Sequence, residues 1–321
     1  MSNRQHTENH PIDNDNLTTE NGLQQSGNDK QSSSRKLHSF KEYKSLRTYL
    51  YLLFCPRTFI PLMKCVHTAL HKFFILQFSV KLGFRKIPVV QVDNSLDKLV
   101  PFSPKRISTY LDFIHSLARP LGFCLSKFKR KVRAQIAISI LDHLRNCYNT
   151  AYHIYSFSMS TTNRPNYKKD RHFRLIHTLD PHLMCVPSLH VAIMIMAWIF
   201  YRDVFKSSIF DDEERKFYTE QVFTSAKAIT ETVLYVKQHS VNCIPAAVYM
   251  MTVMLKDRFS LDDAIYFIDS LFVESTDITE EIKKNIRSYV QMMFERFVLE
   301  NCSEEDWTIP IKRWLTTYKA S

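Results

Sequence analysis

Glycine is scarce, with 4 in 321 residues. That excludes turn-rich β architectures, which need a turn signal every ~8–12 residues. It also leaves little with which to build a nucleotide cradle, and neither G-x-G-x-x-G nor a P-loop occurs. Acidic residues are outnumbered: Asp+Glu is 32 against Lys+Arg 43, a formal net charge of +11. Such an excess suits an anionic partner, whether nucleic acid, a phosphorylated substrate or an acidic membrane surface. The 7 cysteines are odd in number and none sits in a C-x-x-C pair. A reduced compartment is expected, with no structural zinc and no other metal or cofactor. Residues 1–38 contain no Phe, Trp or Tyr. They can bury no core and read as a disordered arm, and the start lacks the apolar h-region of a secretory signal.

From Phe40 onward the chain is rich in apolar and basic residues. Residues 41–92 carry Lys41, Lys44, Arg47, Arg57, Lys64, Lys72, Lys81, Arg85 and Lys86 against Glu42 alone. Apolar clusters at 49–54 and 73–76 lie between these charges. The pattern fits a solvated basic layer, or an interfacial helix with Leu and Phe in a membrane and cations toward lipid phosphates. A second basic stretch contains Lys127, Lys129, Arg130, Lys131 and Arg133. Mean hydropathy is −0.23, low for a polytopic membrane protein. Residues 183–201 and 238–255 nevertheless lack formal charge over membrane-scale lengths.

The periodicities are helical. Ile107, Tyr110, Leu111, Ile114 and Leu117 predict one stripe. Ile136, Ile140, Leu144, Tyr148 and Tyr152 predict a second, and Val222, Ala226, Ile229 and Val233 a third. Toward the C-terminus, 260–263 and 277–280 read as capping-box-like starts. Ile282, Ile286, Tyr289, Met293 and Phe297 then share one face. The expected organisation is all-α: a disordered arm (1–38), a helical domain (39–258) and a C-terminal helical extension (259–321).

Three runs carry candidate chemistry. The first, 161–165, places Arg164 before Pro165. The second, 180–192, contains Pro187, Ser188 and His190 at a helix start, where free N–H groups and the helix dipole favour an anion. The third, 230–243, contains Lys237, His239 and Cys243 beside an uncharged segment. Singly, each has an ordinary structural explanation: a proline-enforced break, a first-turn histidine, a solvated helix end.

In this order, the runs resemble the type 2 phosphatidic acid phosphatase and haloperoxidase superfamily. Its three blocks are Lys, six residues, Arg-Pro; then Pro-Ser-Gly-His; then Ser-Arg, five residues, His, three residues, Asp. Pro-Ser-Leu-His with Lys-Gln-His is similar to the inositol phosphorylceramide synthase-like branch, and 92–104 is similar to that branch's entry segment. The resemblance covers roughly residues 92–250. It implies a helical bundle of that family and a lipid-like phosphate ester as substrate. It implies His239 as nucleophile, forming a phosphohistidine, and His190 as the acid at the leaving oxygen. Arg164, Lys237 and Ser188 would bind phosphate oxygens. The expected activity is phosphoric ester hydrolysis or phosphoryl-headgroup transfer at a membrane. The alternatives are a degenerate member that binds phosphorylated lipid or an anionic surface without turnover, and a cytoplasmic location. Nucleic acid is not expected, since it needs no histidine constellation. The departures are Phe157 at the first-block lysine, Thr232 and Val233 at Ser-Arg, and Cys243 at the orienting aspartate.

Overall fold

Long amphipathic and fully apolar helical stretches, with few residues of strand propensity between turns, condense into helices almost throughout. In the computed structural model, residues 37–167 and 169–320 are described. The expected disordered arm lies outside the described residues, apart from its last two positions. The order begins with α1 (Ser45–Phe54), α2 (Pro56–Ala69) and α3 (Leu76–Lys81), the last two joined by a π-turn. The middle contains α4 (Ser95–Leu99), α5 (Ile107–Leu111), α6 (Phe113–Lys127), α7 (Arg130–Tyr155) and α8 (Arg171–Leu179). Next come α9 (Leu189–Val204), α10 (Asp212–Tyr235) and α11 (Cys243–Met254), followed by α12 (Leu261–Ser270), α13 (Glu280–Asn301) and α14 (Ile309–Thr317). Two short strands, β1 (Val89–Gln91) and β2 (Met159–Thr161), pair in parallel. The protein is all-α in class.

Helix α9 is the centre. It packs against α7, α10 and α11, and every residue from 191 to 201 is buried. A helix apolar on all sides needs such a sleeve of neighbours. This corrects the membrane-scale reading of 183–201 and 238–255. Both are core, on α9 and α11, because uncharged length does not separate a buried helix from a spanning one. The helix long and apolar enough to cross a membrane is instead Pro56–Lys81, whose most apolar window is only 17% buried.

The stripes of α7, α10 and α13 face the core as their spacing requires. The stripe predicted over 107–117 does not run unbroken. The chain turns at Asp112, whose carboxylate is held by Arg119, and Ile114 is left exposed. Ser260 forms a capping box with Asp263. The second start is capped by Thr279 rather than Asp277, which pairs with Arg106. Residues 37–321 cluster as one compact unit. The C-terminal helices are tied to the centre through Asn242, which accepts from Tyr289 Oη at 2.6 Å and donates to Tyr318 Oη at 2.9 Å.

Candidate functional site

Three segments meet at the N-terminal end of α9. The loop 236–242 joins α10 to α11 and carries His239. The segment 162–188 runs from β2 through α8 to the start of α9. The stretch 92–104 braces the first of these. Asp97 accepts the Val241 N–H at 2.7 Å, Asn242 donates to Val92 O at 3.1 Å, and the Ser103 N–H donates to Tyr235 O at 2.9 Å. Ser160, on β2, takes the Val186 N–H on its hydroxyl at 2.7 Å. The catalytic-candidate loops are therefore fixed by side chain to backbone bonds rather than by a sheet.

Ser188 is the N-cap of α9, and its Oγ accepts from the Val191 N–H at 3.4 Å. His190 falls in the first turn, as its spacing predicts. Its ring lies 4.5 Å from Tyr110 and 4.6 Å from Phe113, centroid to centroid. Those two aromatics come from α5 and α6, flanking the Asp112 break. His239 is buried, with Nε2 3.4 Å from His190 Nδ1 and 3.4 Å from Ser188 Oγ. Its Nδ1 lies 3.2 Å from Cys185 O. A carbonyl only accepts, so that Nδ1 carries the proton and Nε2 presents its lone pair toward Ser188 and His190. Burial, reinforced by the nearby His182 cation, pushes His239 down to about 4. Burial and the facing His239 also hold His190 below the ordinary histidine range. Both rings are therefore neutral at pH 7 in the empty site.

Arg164 borders this pair. Its guanidinium donates to Gln238 Oε1 at 3.1 Å and to Asp180 O at 3.1 Å. Gln238 thus links Arg164 to the residue beside His239. Lys237 is not brought to the same place. Its backbone is left-handed, at φ 54, and its ammonium donates to the carbonyls of Asp97 and Val100. The expectation that Lys237 contacts phosphate gives way to a bracing role between loop 236–242 and α4. Phe157 is 43% exposed, with Lys312 Nζ 5.5 Å from its ring centroid. Cys243 is fully buried at the first position of α11 and shares a side-chain hydrogen bond with Cys185.

The sequence reading passed over a cluster directly behind His239. His182, left-handed at φ 63, places Nε2 2.9 Å from Thr162 Oγ1 and 3.7 Å from Cys185 Sγ. Asp180 accepts the His182 N–H at 3.0 Å, and its other oxygen lies 3.9 Å from His182 Nδ1. Burial would lower His182, but Cys185 and Asp180 outweigh it and lift the imidazole to about 9. Burial would raise the Asp180 carboxyl, but His182 and Arg164 bring it down to about 2. The site therefore holds two cations, Arg164 and His182, around one carboxylate. The run Asp180-Pro181-His182 was visible in the sequence. Only its φ angle, invisible there, turns His182 inward. Among the described residues, no group of three or more His, Cys, Asp or Glu side chains is placed to hold a metal ion. Comparison of the chain with protein-family models, with curated proteins and with solved structures finds no match.

Proposed function

We propose that the protein transfers the phosphoryl group of a lipid-like phosphate ester to water or an alcohol, through His239. The observation that carries this reading is the geometry of that imidazole. Nδ1–H is fixed on the Cys185 carbonyl, and Nε2 is aimed at the N-terminus of α9, between Ser188 and His190. A tautomer held in this way is what a nitrogen nucleophile requires. The 3.4 Å contact between the two histidines leaves no room for phosphorus, so substrate entry separates the rings. Nε2 attacks phosphorus as the ester oxygen leaves on the opposite side. The incoming dianion favours the protonated form of His190, which gives its proton to the leaving oxygen. Arg164 and the first N–H groups of α9 stabilise the equatorial oxygens. Water or an alcohol then takes the phosphoryl group from the phosphohistidine.

The reading places this chemistry at a membrane surface. Leu50, Phe54, Phe59, Ile60, Leu70 and Ile75 are exposed on α1, α2 and the π-turn after it. Exposed Arg57, Lys64, Lys81, Arg85 and Lys86 accompany them. Apolar side chains among cations suit a bilayer carrying anionic headgroups. A second reading, binding of a phosphorylated lipid without turnover, draws on Lys237 being committed to carbonyls and on the loss of acid and base at Cys243 and Phe157.

The test is phosphate release from an aryl phosphate and from a lipid phosphate monoester in mixed micelles. His190→Asn should lose ~10²–10⁴-fold with the lipid ester, and His239→Asn should lose all turnover. Full activity in His239→Asn overturns the catalytic reading. Micelle-dependent protection from thermal unfolding without phosphate release selects the binding reading.

A further inference from the structure

Cys185 has a function that phosphoryl transfer does not use. We propose that Cys185 and Cys243 form a peroxide-reactive pair, with Cys185 the attacking thiolate and Cys243 the resolving thiol, closing a reversible disulfide directly behind His239. The inference stands on four placements. Cys185 Sγ lies 3.7 Å from His182 Nε2, within reach of an imidazolium. Asp180 sits on the far side of that ring, 3.9 Å from Nδ1. The order carboxylate, imidazole, sulfur is that of an activated thiol. The Cys243 thiol is hydrogen-bonded to Cys185, so the resolving partner needs no large movement. Finally, Asp180 is 27% exposed, which leaves one side chain between this buried cluster and solvent, a gap that suits an oxidant the size of water.

The electrostatics agree in direction. Burial opposes ionisation of Cys185, but the Cys243 hydrogen bond and the His182 cation outweigh it and hold the thiol below its ordinary range. Burial and the neighbouring Cys185 push Cys243 well above that range. One sulfur is set to attack and the other to remain a proton-bearing thiol. An attacking thiol is also most effective when ionised near ambient pH.

The chemistry balances with hydrogen peroxide as the oxidant. The Cys185 thiolate attacks one peroxide oxygen and the O–O bond breaks. The departing hydroxide takes the His182 proton and leaves as water, and Cys185 becomes a sulfenic acid. The Cys243 sulfur then displaces the sulfenic hydroxyl. That hydroxyl leaves as a second water with the Cys243 proton, and the S–S bond forms. Two electrons have passed from the two sulfurs to peroxide. A thiol reductant reverses the change.

The consequence falls on the site. The disulfide ties residue 185, whose carbonyl holds His239 Nδ1, to the first residue of α11. It also removes the anion that keeps His182 protonated. The covalent event does not depend on the phosphoryl reading, so its readout is separate from activity.

The experiment treats the full chain with hydrogen peroxide, alkylates the remaining thiols and maps peptides by mass spectrometry. Exposed Cys302 is the internal reference. The expected result is loss of two alkylatable thiols, recovery of a Cys185–Cys243 linked peptide, and its disappearance on dithiothreitol treatment. Cys243→Ser should instead accumulate a dimedone-reactive sulfenic acid at Cys185. Oxidation confined to Cys302 and other thiols, with Cys185 and Cys243 still alkylatable after denaturation, overturns the proposal. The wild-type map alone decides this, whether or not the serine variant folds.

Discussion

Restoring the family's aspartate by Cys243→Asp tests how this site has been rebuilt. In the related phosphatases an aspartate one turn after the nucleophile would orient it. Here the Cys185 carbonyl already accepts from His239 Nδ1 at 3.2 Å, so the new carboxylate has no imidazole proton to take. Position 243 is fully buried and faces the Cys185 thiol, which carries negative character. An uncompensated buried charge costs roughly 3–5 kcal/mol. The N-terminus of α11 returns less than about 1 kcal/mol to an acidic residue in its first turn. The net loss is about 2–4 kcal/mol. At ~2–4 °C per kcal/mol for a domain of this size, the melting temperature should fall by roughly 5–15 °C. The sign with pH is also fixed. Burial raises the folded-state value of the introduced carboxyl above its unfolded value, so the deficit is full at pH 8 and narrows as pH falls toward 5. The assay is thermal unfolding at both pH values beside aryl phosphate turnover. A variant that melts with the wild type and turns over faster would refute the argument that the carbonyl has replaced the aspartate.

Other outcomes follow from the same structure. His190 and His239 are both held below the ordinary histidine range, so their contribution to stability is present above about pH 6.5 and lost as pH falls toward their folded values. Urea unfolding should show this acid limb, and His239→Asn should flatten it. Gly122→Ala would place a Cβ 2.6 Å from Thr48 Oγ1, forcing α1 from α6 at a cost of about 1–3 kcal/mol. The double change with Thr48→Ala should recover part of that loss in a denaturant titration. The exposed face of α2 predicts sedimentation with anionic liposomes that weakens at high salt. Ile60→Asp should reduce it further, and equal binding to neutral vesicles would count against charge-assisted docking.

Helix class was legible because period-four apolar stripes such as Val222, Ala226, Ile229 and Val233 need only local spacing. Ser188 as N-cap and His190 in the first turn were legible for the same reason. What escaped was set by tertiary contacts. Nothing local distinguishes the buried sleeve around α9 from a lipid environment, so 183–201 looked as membrane-like as the exposed helix at 56–81. Lys237 adjoins His239 in sequence, yet its left-handed backbone sends its ammonium to α4 instead. His182 sat in a quoted run without drawing notice, because its role depends on a φ angle and on Cys185 and Thr162 meeting it in space. The Cys185 carbonyl has no side-chain signature at all.

The account's central claim is that His239 Nε2 becomes covalently phosphorylated. The direct measurement is rapid quench after mixing with a radiolabelled aryl phosphate, followed by alkaline electrophoresis and peptide mapping. The prediction is an acid-labile, alkali-stable label on His239 in the wild type and none in His239→Asn. His190→Asn should still be labelled, because an aryl leaving group needs little protonation. Wild-type turnover with no label on His239, or equal labelling of His239→Asn, would contradict the account.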